Sequence, residues 1–223
     1  YTADWTNFPA AMRYALQSDI LSISVDALQG QWVGLHSYLR DDAFQTQRPK
    51  LLIWEMPARD MRAPPDFQWR EARYKMNATE WLLQTSALLQ GQCAPSGIAA
   101  KVSHASIKGA QVGANGVHTA ASLASDYVEL QFDKPLQRTD YLSGKLVVDG
   151  SKVLTLEAFS KTGRTRKSTI PVAGDDLAHV LRTALLGAEA SDGITQVRIF
   201  PGTARSFSLQ EIQVCQQPAD LLN

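Results

Sequence analysis

Five short segments in the later part of the chain alternate apolar and polar residues with a period of two: YVELQF (127–132), GKLVVDG (144–150), VLTLEAF (153–159), TQVRIF (195–200) and SFSLQEIQV (206–214). Successive side chains of a strand point to opposite faces, so this period gives each segment one face for a core and one for water. Gly, Asp or Pro stand between the segments. Many short alternating strands with regular turn signals predict an all-β sandwich or jelly roll over about residues 98–215. The sharpest local signal is VVDGSKVL, where Asp149-Gly150 between two alternating runs predicts a hairpin.

Residues 1 to about 92 follow another rhythm. Phe8, Ala11, Met12, Ala15 and Leu16 recur at helical spacing, with Thr6 or Asn7 as N-cap and Pro9 in the first turn. A strand, ILSISV, precedes Gly30 and a second helix over roughly 32–40 carrying Trp32, Leu35, His36 and Leu39; KLLIWE then predicts a further strand. Strand, helix, strand of these lengths is a parallel crossover unit. A Pro-rich passage, RAPPDFQW, leads to a helix from about Thr79 to Leu89, with Trp81, Leu82, Thr85, Leu88 and Leu89 on one side. Two parallel strands are too few for a doubly wound domain, so this half reads as the later portion of a larger α/β sheet. The expected organisation is therefore partial α/β over 1–92, an all-β sandwich over 93–216 and a tail over 217–223.

Lys+Arg and Asp+Glu both number 22, and such a balance gives no reason to expect nucleic acid or an acidic membrane as partner. No apolar run approaches the roughly 20 residues that cross a bilayer, so a membrane-spanning helix is not expected. Cys93 and Cys215 lie far apart, neither in a CxxC nor near a ligand-spaced histidine, so no metal site is expected. They are either two unrelated buried thiols or a disulfide. The disulfide fits their places at the two edges of the β region; closing such a loop would stabilise by about 4–5 kcal/mol. It would also imply an oxidising compartment such as a periplasm.

No HExxH, GxSxG, P-loop or GxGxxG occurs, and none of His36, His104, His118 and His179 sits in a dyad pattern. His36 reads as a half-buried polar contact, the other three as surface or cross-strand residues. No cofactor is implied. The loop DALQGQW (26–32) joins a strand to a helix, where Gly30 either offers its backbone N–H to a developing oxyanion or serves only the turn. KTGRTRK (161–167) is either a solvated hairpin tip or a docking patch for an anionic polysaccharide. In LLIWEMPARD (51–60) an apolar run ends abruptly in acid, proline and opposite charges. Carboxyl ends of strands are where ligands bind in open α/β sheets, so this exit is a candidate cleft rim.

Together, YTADWTNFPAAMRYALQSDIL, LQGQW, LHSYL, DDAF and RPKLLIWEMP resemble the end of the SGNH-hydrolase-like domain of the alginate and exopolysaccharide O-acetyltransferase family, the AlgX/AlgJ type. In that family a GTS motif carries the nucleophilic serine and an Asn-Phe pair follows at a fixed distance; Asn7-Phe8 match the pair. The resemblance implies a serine immediately before Tyr1 and an Asp-x-His pair further upstream, so that no catalytic triad residue falls within this chain. It implies Gly30 as oxyanion donor, and Tyr1, Gln31, Arg59 and Asp60 as cleft wall, although some members carry a tyrosine where Asp60 stands. The second half resembles the carbohydrate-binding-module-like sandwich that follows in one branch, closed there by a disulfide matching Cys93 and Cys215. Leu146 stands where that branch has an exposed tryptophan, with Lys145 and Lys152 beside the turn. Those two lysines, with Arg164, Arg166 and Lys167, are the candidate carbohydrate contacts. The implied function is periplasmic O-acetylation of a polysaccharide such as alginate, acetyl arriving from a donor protein of the export machinery. A non-catalytic binding scaffold and an acetyl esterase are the alternatives.

Overall fold

The alternating segments build two antiparallel sheets that face each other across one core. The structure is a computed structural model, and it describes residues 8–17, 31–54, 78–113, 116–185 and 192–218. Ten strands are described: β1 (Ala100–Ala105), β2 (Gln111–Gly113), β3 (Gly116–Thr119), β4 (Val128–Leu136), β5 (Asp140–Asp149), β6 (Val153–Ser160), β7 (Gly163–Pro171), β8 (Asp175–Ala184), β9 (Ile194–Phe200) and β10 (Ser206–Gln216). One sheet runs β1-β4-β9-β6-β7 and the other β2-β3-β10-β5-β8. Their inner faces supply Val128, Leu130, Leu154, Leu156, Val197 and Ile199 from the first, and Leu142, Leu146, Val148, Phe207 and Leu209 from the second, all buried in one cluster. β6 alternates without a break between core and surface along its whole length, as its period demands.

The Asp149-Gly150 turn is not a hairpin. β5 pairs with β8 and β10, whereas β6 pairs with β7 and β9 in the opposite sheet. The chain therefore crosses the core here, and Val148 and Leu154 reach it from opposite sides. Both hydrogen-bonding edges of β5 are already occupied, which leaves none for β6. Gly150, at φ +85°, takes a conformation that favours glycine, and its N–H donates to Gly174 O at 3.1 Å. Asp149 O accepts from Arg205 N at 2.8 Å.

Four helices are described: α1 (Phe8–Leu16), α2 (Gln31–Arg40), α3 (Asp42–Thr46) and α4 (Ala78–Leu89). The parallel crossover has no counterpart among the described residues, where every strand pair is antiparallel. ILSISV lies outside them. Leu51–Trp54 belongs to no strand, and Leu51, Leu52 and Ile53 are 63, 39 and 50% exposed. No described residue pairs with its backbone, and an apolar run needs such a neighbour to become a strand. The α1 stripe is exposed at Ala11, Ala15 and Leu16.

In α4 the expected apolar side is also displaced: Leu82 and Leu89 are exposed, while Leu83 through Leu88 are all buried. The helix is enclosed because it contacts both sheets and α2. Gln84 Nε2 donates to Thr183 Oγ1 (3.1 Å) and Ala184 O (2.9 Å) on β8, an edge strand of one sheet. Arg166 on β7, an edge strand of the other, donates to Glu80 Oε2 at 2.8 Å. Arg48 donates to the carbonyls of Leu88, Leu89 and Gln90, and Arg182 to those of Gln90 and Gly91. Two guanidinium groups thus satisfy the carbonyl end of α4, where the helix dipole is negative.

Cys93 and Cys215 form a disulfide, with Cα atoms 5.2 Å apart. The segment after Cys93 runs beside the end of β10, with Ser96 N donating to Val214 O (3.1 Å) and Gln216 N to Ala94 O (2.8 Å). The bond joins the entrance of the sandwich to its last strand. Among the described residues no helix is long and apolar enough to cross a membrane.

Candidate functional site

Of the expected cleft residues, Tyr1, Gly30, Arg59 and Asp60 lie outside the described residues, and Gln31 is the first residue of α2. Nearby, His36 is buried against α4. Its ring stacks on Trp81 at 5.3 Å and 3°, and Trp81 in turn stacks on Trp54 at 6.0 Å. His36 Nε2 lies 2.7 Å from Thr85 Oγ1, whose hydroxyl donates to Trp81 O. With that proton committed, Nε2–H is the donor to Thr85. Burial, followed by the charge of Arg40, pushes the ring down to about 3, so His36 is neutral at ordinary pH. It holds two helices together.

The five candidate carbohydrate contacts do not converge. Lys145, on β5, bonds Glu211 at 2.6 Å. Lys152 is exposed between β5 and β6. Arg164 belongs to β7. Arg166 sits opposite inward-facing Ala158 and turns to Glu80, whereas Lys167, one residue on, points outwards to Glu157 at 3.5 Å. Leu146 is a core residue, 4% exposed. Lys161 and Thr162 form the tip of the β6–β7 hairpin, and the rest of the basic stretch is strand.

What does converge is the outer face of the β1-β4-β9-β6-β7 sheet. Strand register sets Lys167, Glu157, Arg198, Glu129 and His104 side by side, one from each strand, in a row across the whole sheet. Arg198 Nε donates to Glu129 Oε2 at 3.0 Å, Gln196 Nε2 donates to the same oxygen, and Ser103 Oγ donates to Glu129 Oε1 at 2.9 Å. The Arg198 guanidinium lies 4.8 Å from the Tyr127 ring and 4.9 Å from the Phe159 ring. Tyr127 is 5.5 Å from Phe200 and 5.7 Å from His104. All three aromatic residues are half-buried.

Aromatic rings give flat apolar faces, while guanidinium, carboxylate and amide groups give planar donors and acceptors. The polar groups are already bonded to one another, so they are held in place before anything binds. Such a face can stack pyranose rings and bond their hydroxyls. The signal in the sequence was slight: Phe159 and Phe200 occupy outward positions of alternating strands, where polar residues are the norm. Among the described residues no cluster of His, Cys, Asp or Glu could hold a metal ion.

The β region is a two-sheet antiparallel sandwich, and the segment before it is similar to proteins of the AlgX/AlgJ type. Residues 1–58 match the family described as "SGNH hydrolase-like domain, acetyltransferase AlgX". The probable alginate O-acetylase AlgJ of Pseudomonas fluorescens is 42% identical over 53 residues, 24% of this chain and 13% of that protein. The AlgJ protein of Pseudomonas syringae pv. tomato is 37% identical over 60 residues, 27% of this chain and 15% of that protein. The chain thus spans 13–15% of the length of the curated relatives it matches. The solved structure of Pseudomonas aeruginosa AlgX superposes on 83% of this chain and 39% of its own, with a TM-score of 0.47 and 14% identity. A low-affinity xylan-binding module, CBM86 of Roseburia intestinalis, superposes on 56% of this chain and 96% of its own, with a TM-score of 0.36 and 14% identity.

Proposed function

We propose that this chain supplies part of a polysaccharide O-acetyltransferase: one wall of an acyl-transfer cleft from residues 1–92, and a polymer-holding sandwich from residues 93–216. The observation that carries this reading is the AlgX-type match over residues 1–58, followed in the same chain by a sheet face of aromatic and planar polar side chains. A serine immediately before Tyr1, activated by a histidine and oriented by an aspartate further upstream, takes an acetyl group from a donor protein and passes it to a sugar hydroxyl. Gly30 N–H stabilises the oxyanion, and Tyr1, Gln31, Arg59 and Asp60 line the cleft. The outer face of β1-β4-β9-β6-β7 holds the polymer, with Tyr127, Phe159 and Phe200 stacking on its rings. The disulfide supports assembly in an oxidising compartment, the periplasm.

The deciding experiment uses the full-length protein with a small acetyl donor and oligosaccharide acceptors, read by mass spectrometry. Acetyl transfer that disappears when the residue before Tyr1 is changed to Ala supports the enzyme. Polysaccharide binding without transfer or hydrolysis supports the second reading, a non-catalytic carbohydrate-binding scaffold, which the binding face by itself favours. Hydrolysis without transfer identifies an esterase.

A further inference from the structure

His179, on β8, is gripped from both sides. Nδ1 lies 2.7 Å from Asp42 Oδ2 on α3, and Nε2 lies 2.7 Å from Asp175 Oδ1 on its own strand. A neutral imidazole carries a single N–H, so one of these contacts would set a lone pair against a carboxylate; only the imidazolium donates to both. We propose that Asp42–His179–Asp175 is a proton-operated latch that docks α3 on the edge of the sandwich. It is closed while the ring is charged and lets go of Asp42 when the ring loses its proton.

The two carboxylates differ in what they can do next. Asp175 is fixed four residues away on the same strand and also accepts from Leu177 N at 3.1 Å. Asp42 Oδ1 is buried without a hydrogen-bond partner among the described residues, and α3 is only five residues long. Once the ring is neutral, withdrawal into water hydrates both Asp42 oxygens, whereas staying leaves a partly buried carboxylate unpaired. Asp42 is therefore the partner that leaves.

Among the described residues no other charge competes for the ring. Across on β5 the opposite residue is Leu146, and Lys145 beside it is committed to Glu211. On the α3 side Asp41 accepts from Ala43 N. Arg182 Nη1 bonds Gln45 Oε1 at 2.6 Å and does not titrate in this range, so α3 pivots on Gln45 while α4 stays in place. Burial lowers the ring's proton affinity, but the hydrogen bond to Asp175 and the charges of Asp42 and Asp175 outweigh it, raising it above its ordinary 6.5. The latch thus contributes fully below 6.5 and is lost as pH rises through the raised value. Asp42 lies within the segment that matches the acetyltransferase family and His179 in the sandwich, so the proton couples the two.

The test is imidazole NMR of the full chain from about pH 5.5 to about 8.5, with hydrogen-exchange protection of the Gln45 and Gln47 amides, which close α3 onto Asp41 O and Ala43 O. We expect His179 to titrate above 6.5. Protection, corrected for the intrinsic rate, should fall in step, by up to about tenfold per unit of that elevation. Asp42→Asn should remove the step and lower the titration while β6 and β9 amides stay unchanged. A wild-type His179 that titrates at or below 6.5, or α3 protection that stays flat across its titration, overturns the latch whatever the variant does.

Discussion

Glu157 on β6 and Arg198 on β9 stand directly opposite each other in the middle of an outer sheet face. Each has a further partner: Lys167 for Glu157 and Glu129 for Arg198. The alternating row is framed by the three aromatic residues, and side chains bonded in this way are immobilised before a ligand arrives, which lowers the entropic cost of binding. Phe159→Ala should weaken oligosaccharide binding by roughly tenfold, or about 1.4 kcal/mol, with the sheet intact. Lys145→Ala and Lys152→Ala, away from this face, should change it by less than about twofold. Calorimetry with alginate and cellulose oligomers measures both. Equal losses in all three variants would put the binding face elsewhere.

The disulfide joins the first residues of the sandwich to its last strand. Replacing Cys93 and Cys215 by Ser should cost about 2–5 kcal/mol and lower the urea midpoint correspondingly. The same loss should appear in the wild type on reduction. An unchanged midpoint in reductant would mean that the bond constrains nothing.

Gly174 holds the corner at which the chain passes between sheets. At φ +69° it carries no Cβ, and an added one would lie 2.5 Å from Ser151 O. Gly174→Ala combines left-handed strain with a backbone clash, and a loss of about 2–4 kcal/mol is expected. Gly163→Ala has a positive φ but no atom within 4 Å of the added Cβ, so it should lose less, about 1 kcal/mol. Chemical denaturation of the pair separates strain from collision.

His36 and His179 predict opposite pH limbs. His36 is held neutral with its value depressed to about 3, so its contribution is complete above 6.5 and is lost as pH falls, by up to about 1.4 kcal/mol per pH unit. His36→Phe should flatten the acid limb of a stability–pH curve below 6.5 and leave the behaviour above 6.5 to His179. A curve with the same acid slope in that variant would assign the limb to the carboxylates instead.

Much of the inner face was legible in the sequence, because alternation is a property of neighbouring residues: Leu130, Leu154, Leu156, Val197 and Leu209 fall where a period of two places them. Acidic and basic residues at outward positions gave no hint of the row they form, since Lys167, Glu157, Arg198, Glu129 and His104 come from five separate strands. The strands β1, β2, β3, β7 and β8 escaped the reading, four of them at sheet edges. β2 and β3 are only three and four residues long, and β8 begins with a run of exposed residues, so their periodicity was weak.

Local pattern along the chain was enough to place much of the sandwich's inner face, to show two cysteines bounding the β region, and to give the opening segment its AlgX-type signature. These are local patterns or matches read along the chain. It took the folded arrangement to show that Asp149-Gly150 crosses between sheets, that Arg166 pairs with Glu80 on α4, and that His179 sits between two aspartates. Each of those depends on which distant backbone edge or charge a residue meets, and the order of residues along the chain does not encode that choice locally.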